Sequence, residues 1–212
     1  MKKSRSPSLE KTTETRRKIV ISALNEFIQL GFSAARISEI SKNAGIAKGT
    51  VYSYFETKEK LFEGVIDYLI QETYHPLQSD ELTDNETTYD FLLKSMLAMM
   101  ENFESSGRSA IAHLILKESM HFPHIRNLYQ EKIYSKNLDE TVKLLHIAIQ
   151  RKELSADIKP HDLAILIVAP IWMSLIHNLI LQSPKTVQPM ELFQENLKHI
   201  FISNAPDQKI SQ

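Results

Sequence analysis

A short polar and aromatic run near the N-terminus has the residue types that contact nucleic acid. Its members lie almost side by side: Lys48, Gly49, Thr50, Tyr52, Ser53 and Tyr54. A lysine, hydroxyl groups and the backbone N–H groups at a helix start can all bind phosphate oxygens, and a glycine allows the backbone to come close to a ligand. We therefore interpret this run as the start and outer side of a helix that lies in the major groove of duplex DNA.

Two short helices with a glycine between them would position this run. The spacing of apolar residues predicts one helix from about Ile37 to Ala44 and another from about Lys48 to Phe55, with Gly45 at the turn. A tight turn of this kind needs a residue that accepts positive φ, which glycine does without strain. Together with an amphipathic helix over about residues 13–30, these elements form a helix-turn-helix pattern.

The rest of the chain is predicted to be helical as well. Apolar residues recur there at three- and four-residue steps, and five glycines in 212 residues are too few for a turn-rich β fold. We expect an all-α protein of about nine helices. The predicted organisation is a disordered basic tail (1–12), a helix-turn-helix DNA-binding domain (13–59) and a larger helical domain (60–212).

Charge is distributed unevenly along the chain. Residues 1–60 hold 12 Lys and Arg against 6 Asp and Glu, whereas residues 61–212 hold 13 against 20. This asymmetry indicates that the basic N-terminal part binds a polyanion while the larger part does something else. The absence of Cys excludes disulfides, thiolate metal sites and a Cys nucleophile.

The stretch from Gly31 onward, GFSAARISEISKNAGIAKGTVYSYFETKEKLF, resembles the TetR family of bacterial transcriptional regulators. The run AG-x-x-KGT-x-Y-x-YF-x-x-K-x-x-L carries the resemblance. It implies DNA contacts at Lys48, Gly49, Thr50, Tyr52, Tyr54 and Lys58. The chain departs from the family at two places. The family often has Thr or Ser just before the second helix, where this chain has Ala35 and Arg36, and it often has Ser where this chain has Ala47. Each departure removes a possible cap and a hydroxyl contact. We expect Arg36 to supply a phosphate contact electrostatically instead.

The resemblance also implies that the C-terminal helices (60–212) bind a small-molecule effector and pair two subunits. The stretch Ile165–Leu181 is apolar nearly all round, so it must be covered on every side. We expect a homodimer through helices near 161–182 and 189–203, with a kink at Pro170. A dimer would place two DNA-reading helices in successive major grooves of a palindromic operator, roughly 34 Å apart.

Flexible and aromatic side chains of the C-terminal part could line an apolar effector pocket. Residues of these types at helical spacing could instead belong to the core. The two histidines, His113 and His177, could be either polar anchors for a ligand or core histidines bonded to carbonyls. The candidates are Met96, Met99, Met100, Phe103, His113, Phe122, Trp172, Met173 and His177.

Two alternatives remain open at this point. One is a helix-turn-helix protein that binds DNA as a platform for another protein and has no effector. The other is a di-iron enzyme, because Glu72-x-x-His75 and Glu118-x-x-His121 have the Glu-x-x-His spacing of di-iron helix bundles. Both copies precede a proline, at predicted helix ends, so we expect no enzyme, no metal and no cofactor.

The chain is expected to act in the cytoplasm and not in a membrane. No apolar stretch follows the basic N-terminus, so a secretory signal is not predicted. The most apolar run, Ile165–Leu181, has 17 residues and contains Pro170, Ser174, His177 and Asn178. A membrane span requires about 20 residues of cleaner apolar character, so a buried helix is the preferred interpretation.

Overall fold

A computed structural model describes residues 9–73 and 76–206. Within these ranges the chain forms ten α-helical segments and no strand, as the prediction of an all-α fold requires. Segments α7 and α8 are joined by a π-helical stretch, Gln130–Tyr134, into one run, which gives the nine helices expected. The segments are α1 Leu9–Ala34, α2 Ile37–Asn43, α3 Lys48–Tyr54, α4 Lys58–Thr73, α5 Thr88–Met100, α6 Arg108–Glu118, α7 Pro123–Tyr129, α8 Ser135–Gln150, α9 Pro160–Leu175 and α10 Pro189–Ser203.

The first helix starts earlier than its sequence pattern predicts. Because α1 begins at Leu9, residues 9–12 are helical and do not belong to a disordered tail. The Thr15 hydroxyl bonds the Lys11 carbonyl one turn back, at 2.8 Å, which shows that the helical backbone already exists there. The remainder of the predicted tail, residues 1–8, lies outside the described residues. At the other end Gly31 has φ 78° and interrupts the helical backbone, next to residue 30, where the first helix was predicted to end.

The chain divides into two compact units. The first contains residues 9–73 and Glu104–Leu128, and therefore helices α1 to α4, α6 and most of α7. Three buried phenylalanines form its centre: the Phe27 ring lies 5.8 Å from the Phe32 ring and 5.2 Å from the Phe62 ring, between centroids. This division differs from the predicted boundary at residues 59 and 60, because α4 and α6 pack on α1.

The second unit contains residues 76–103 and 129–206. Its core is built by one face of each of four helices, α5, α8, α9 and α10. The buried residues that these helices contribute include Phe91, Leu92, Leu144, Leu145, Ala148, Leu163, Ala164, Ile167, Phe193 and Leu197. These side chains recur at three- and four-residue steps, which is the pattern that predicted the helices.

The helix α9 continues through Pro170 because a neighbouring side chain satisfies the carbonyl that this proline leaves free. Proline has no N–H, so the carbonyl of Leu166 loses its helical partner. The Asn196 side chain on α10 donates to that carbonyl at 2.9 Å. Asn196 therefore compensates for the proline and fastens α10 to α9.

We expect an Asn196→Ala variant to lose about 1–2 kcal/mol of unfolding free energy, because the Leu166 carbonyl would be left without a protein partner. Urea unfolding followed by circular dichroism measures this change. The matched control is Asn127→Ala on α7, where the asparagine is exposed. Equal stability of the two variants would contradict the role of Asn196.

Candidate nucleic-acid interface

The turn between α2 and α3 depends on a single glycine. Gly45 has φ +65°, the left-handed region that glycine occupies without strain. Its N–H bonds the Lys42 carbonyl at 3.0 Å, and the N–H of Ile46 bonds the Ser41 carbonyl at 2.9 Å. This is the Schellman arrangement that ends a helix. The turn directs α3 across α2, and Ile40 and Val51 become fully buried.

The exposed side of α3 carries the residues that were predicted to contact DNA. Lys48 begins the helix, and Lys48, Gly49 and Ser53 are exposed, while Thr50 is half-buried. Tyr52 keeps 43% of its surface exposed, and the Lys48 ammonium lies 6.0 Å from the centre of its ring. The Ser53 hydroxyl donates to the Thr50 carbonyl at 2.7 Å, so it retains acceptor capacity only.

Gly49 has no packing reason to be glycine. A Cβ built on it would meet nothing within 4 Å, and its φ is not in the left-handed region. A glycine in a helix costs roughly 0.5–1 kcal/mol relative to alanine. The chain carries this cost at an exposed helix start, which is expected if another molecule approaches the backbone there.

A Gly49→Ala variant is expected to keep or raise its unfolding free energy, by up to about 1 kcal/mol, and to bind DNA about tenfold more weakly. Stability and affinity would then change in opposite directions, which a folding defect cannot produce. Urea unfolding and fluorescence anisotropy with labelled duplex measure the two quantities.

Gly45→Ala provides the contrasting control, because it should lose stability at a positive φ. If Gly49→Ala binds duplex DNA as tightly as the wild type, the close approach at this position does not occur.

The two tyrosines of α3 have different surroundings. Tyr54, two positions after Tyr52, is half-buried and lines an open cleft of about 390 Å³. The cleft also contains Arg16, Phe55, Glu56, Lys60, Glu63, Gly64 and Asp67. Three of these side chains are acidic and two are basic, so the cleft offers no net positive charge to a phosphate beside the Tyr54 ring. Tyr52 is consequently the better placed of the two for DNA contact, and the contact at Tyr54 stays a prediction.

Helix α4 packs closely against the end of α3. A Cβ on Gly64 would lie 2.5 Å from the Phe55 ring, so only glycine allows this approach. The Arg16 guanidinium covers the same ring at 5.0 Å from its centre. Phe55 is thereby enclosed by α1 and α4 and holds α3 in place.

Lys58 was predicted to contact DNA, but its ammonium is directed into the protein. Its Nζ donates to the carbonyls of Ser33 at 3.0 Å and Ala35 at 3.2 Å, and lies 4.8 Å from the centre of the Phe32 ring. Two of its three donors are therefore used internally. Arg36 is exposed just before α2, where its side chain makes no capping bond to that helix.

The neighbouring residue Glu59 is held in its charged form. A hydrogen bond from its own backbone N–H lowers the pKa of Glu59 below its ordinary value, although partial burial acts in the opposite direction. The Thr57 hydroxyl, His124 and Lys58 also lower the pKa of Glu59. An acidic side chain in the first turn of α4 is favourable because helix N-termini carry partial positive charge.

The nine candidates for the effector pocket are distributed over both units. His113 and Phe122 belong to the first unit and Met173 is exposed in the second, where the other six are half-buried: Met96, Met99, Met100, Phe103, Trp172 and His177. Phe122 packs 5.1 Å from the Phe32 ring, Trp172 packs 5.4 Å from the Tyr129 ring, and His177 Nε2 is 2.8 Å from the Lys185 carbonyl. These three residues have partners within their own unit, and the pocket stays a prediction.

The residues suggested for a di-iron site do not form one in the described part of the chain. Glu72 lies in the last turn of α4 and Glu118 is the last residue of α6, while His75 lies outside the described residues. Among residues 9–73 and 76–206, no three His, Asp or Glu side chains are grouped so that they could hold a metal ion.

Residues 19–65 match the family model described as bacterial regulatory proteins, tetR family. The nucleoid occlusion factor SlmA of Aliivibrio fischeri is 30% identical over 109 residues, covering 49% of this chain and 55% of SlmA. The chain thus spans about half the length of that relative. The transcriptional repressor BepR of Brucella suis is 24% identical over 163 residues, covering 74% of this chain and 77% of BepR.

The fold matches solved structures over most of the chain. SmeT, the repressor of the Stenotrophomonas maltophilia multidrug efflux pump SmeDEF, superimposes with a TM-score of 0.71 at 16% identity, covering 91% of both chains. The match at residues 19–65 contains the Gly45 turn and all of α3. Residues 19–65 are therefore similar to the bacterial regulatory proteins of the tetR family, and the all-helical fold of the chain is shared with SmeT.

Proposed function

We propose that this protein is a cytoplasmic, DNA-binding transcriptional repressor that a small apolar ligand releases from a palindromic operator. The observation that carries the proposal is the start of α3, where Lys48, Gly49 and Tyr52 are exposed beside a buried helix-turn-helix core. Among residues 9–73 and 76–206, no contact requires a glycine at position 49. The excess of 12 basic over 6 acidic residues in 1–60 agrees with a polyanionic partner.

The proposal includes a homodimer formed through α9 and α10. These helices carry large apolar side chains that the single chain leaves exposed, with Leu166 at 56%, Met173 at 51% and Ile202 at 49%. Leu166 and Met173 are seven residues apart and so share one side of α9. A second copy of the chain would cover this surface and would place two α3 helices about one DNA turn apart.

A membrane is the other environment that could cover this surface. Pro160–Ile180 is long and apolar enough to cross a bilayer by length and composition, and 28% of its apolar window is buried in the single chain. A neighbouring side of α9 contributes Leu163, Ala164 and Ile167 to the core of the second unit. A helix with one buried side and one exposed apolar side fits a protein partner better than surrounding lipid.

Effector binding is proposed for the second unit. Met96 and Met100 on α5 and Trp172 on α9 are half-buried residues of the type that lines adaptable apolar pockets. Release from DNA would follow if the effector binds better to a dimer whose α3 helices are wrongly spaced. Helix α4 is the proposed lever, because its first turn lies beside the helix-turn-helix region. That BepR and SmeT are repressors supports repression as the outcome.

Selection of genomic fragments by the purified protein tests the central proposal. The fragments retained should share a palindrome, and a duplex with this palindrome should bind more tightly than a scrambled duplex of equal composition. Affinity should fall steeply as salt rises, because phosphate contacts release counterions. A homodimer that shows no preference for any palindrome at low salt contradicts the proposal.

A DNA-bound platform without an effector is the second candidate. The relative SlmA is described as a nucleoid occlusion factor, not as a transcription regulator. A platform would stay on its operator in the presence of every metabolite of the cell and would bind a partner protein there. Operator binding measured with cell-metabolite fractions distinguishes the two candidates, since only a ligand-released repressor dissociates.

A further inference from the structure

One peptide group just before α2 is bonded at both ends by oppositely charged side chains. The carbonyl of Ala35 accepts from Lys58 Nζ at 3.2 Å, and the N–H of Arg36 donates to Glu26 Oε1 at 3.4 Å. These two groups belong to the same amide. Lys58 comes from the first residue of α4 and Glu26 from α1, so the amide connects three helices.

The surroundings of this amide make both interactions significant. Glu26 is only 5% exposed and Ala35 only 3%. Placing a carboxylate in such a position is unfavourable unless a donor is provided. Lys58 is half-buried, with its ammonium also bonded to the Ser33 carbonyl and set over the Phe32 ring. Two charged side chains of opposite sign on one amide also polarise it, which strengthens both bonds.

The amide lies where helix α2 has no other cap. Arg36 occupies the N-cap position in an extended conformation, and its side chain makes no capping bond. A hydroxyl side chain at this position normally fixes the start of a helix. In this chain the start of α2 is instead held from outside, by residues of α1 and α4.

We propose that Lys58 and Glu26 are positioning residues for DNA binding, which together clamp the Ala35–Arg36 amide and so fix α2, and through it α3, on α1 and α4. The inference rests on the proposed DNA-binding function. Within that function, Lys58 positions the helix-turn-helix and does not contact a phosphate. The inference also identifies the contact through which a movement of α4 would reach the helix-turn-helix.

The salt dependence of DNA affinity separates a clamp from a phosphate contact. Lys58→Met should lower DNA affinity about tenfold. The slope of the logarithm of the binding constant (log K) against the logarithm of salt concentration should stay the same as in the wild type. Loss of one phosphate contact per subunit would instead reduce the slope by about 1.8 for a dimer. The control is Lys60→Met, which removes the same charge two residues later from a lysine that pairs with Glu63 at 2.8 Å. This control should bind within about twofold of the wild type.

Glu26→Gln tests the clamp through the sign of its effect. Removing a negative charge from a DNA-binding protein should strengthen binding if only long-range electrostatics act. The clamp predicts the opposite, a loss of about tenfold, because a neutral amide oxygen accepts more weakly than a carboxylate. The double variant with Lys58→Met should bind little worse than either single variant, because both act on one amide.

Amide hydrogen exchange tests the clamp in the absence of DNA. Lys58→Met and Glu26→Gln should each speed exchange at Arg36 and Ile40 about tenfold, relative to Lys60→Met, without affecting Leu144 in the second unit. Unchanged exchange in both variants overturns the clamp, whether or not the protein binds DNA. A reduced salt slope for Lys58→Met, or tighter binding by Glu26→Gln, also overturns it. Absence of wild-type DNA binding alongside faster exchange contradicts only the proposed function.

Discussion

A Lys48→Glu variant is expected to bind its operator at least about 100-fold more weakly than the wild type. Lys48 is the first residue of α3 and is exposed, so its ammonium is available to a phosphate. A hydrogen bond to a charged group is worth roughly 1.5–3 kcal/mol, and each dimer would lose two. Since about 1.4 kcal/mol corresponds to a factor of ten, a factor of 100 is reached before repulsion by the new carboxylate is counted.

The same variant should fold at least as well as the wild type. A carboxylate in the first turn of a helix interacts favourably with the helix dipole, whereas a lysine there does not. Thermal unfolding should therefore occur at the same or a slightly higher temperature, while the slope of log K against log salt falls by about two units. Fluorescence anisotropy at several KCl concentrations measures affinity and slope together.

Lys136→Glu is the matched control for this experiment. Lys136 is exposed on α8 in the second unit, and its reversal changes the net charge by the same amount. We expect this control to weaken binding no more than about threefold, through long-range repulsion alone. If Lys48→Glu behaves like Lys136→Glu, α3 does not insert its N-terminal end into the groove.

The helix-turn-helix could be predicted from the sequence because its determinants are local. The turn depends on Gly45 and on hydrogen bonds that span three to five residues, from Lys42 and Ser41. The burial of Ile40 and Val51 follows from their helical spacing. Lys48 and Tyr52 are four residues apart and so lie one above the other on α3, where both are exposed.

The direction of the Lys58 side chain could not be predicted in the same way. Its carbonyl partners are 25 and 23 residues earlier in the chain, so they meet only after α4 has packed on α1. A sequence signal did exist at the other end of the clamp. Glu26 directly precedes the buried Phe27, on the side of α1 that faces the core, and a charged residue in such a position requires a partner.

A similar limit applies to the apolar helices of the second unit. Pro170 alone indicates that the Leu166 carbonyl lacks its helical N–H partner. The side chain that donates to this carbonyl instead, Asn196, lies 30 residues later in the chain, so the sequence around Pro170 does not indicate it. Aromatic residue type also fails to separate pocket from core. Phe122, which could be either a pocket or a core residue by its sequence position, packs against Phe32 in the first unit. Core and pocket residues share composition and periodicity, so only the tertiary arrangement separates them.

A Leu166→Asp variant is expected to separate the dimer into single chains of 24.4 kDa and to lower operator affinity more than about 100-fold. Leu166 is 56% exposed in the single chain, so the substitution removes little from the chain's own core. In the proposed dimer it would bury a carboxylate in an apolar interface, which costs several kcal/mol per ion, and the twofold axis introduces two. Analytical ultracentrifugation at micromolar concentration measures the mass.

The loss of DNA affinity follows from the geometry of the operator. Two helices that bind one rigid duplex together have a high effective concentration, whereas a single chain binds one half-site without this advantage. Met120→Asp likewise replaces an exposed apolar side chain by a carboxylate, at a methionine of the first unit that is 86% exposed, and should leave both mass and affinity unchanged. A Leu166→Asp protein that still sediments as a dimer would show that α9 does not form the interface. If that protein is monomeric yet retains full operator affinity, the requirement for two α3 helices on one palindrome is wrong.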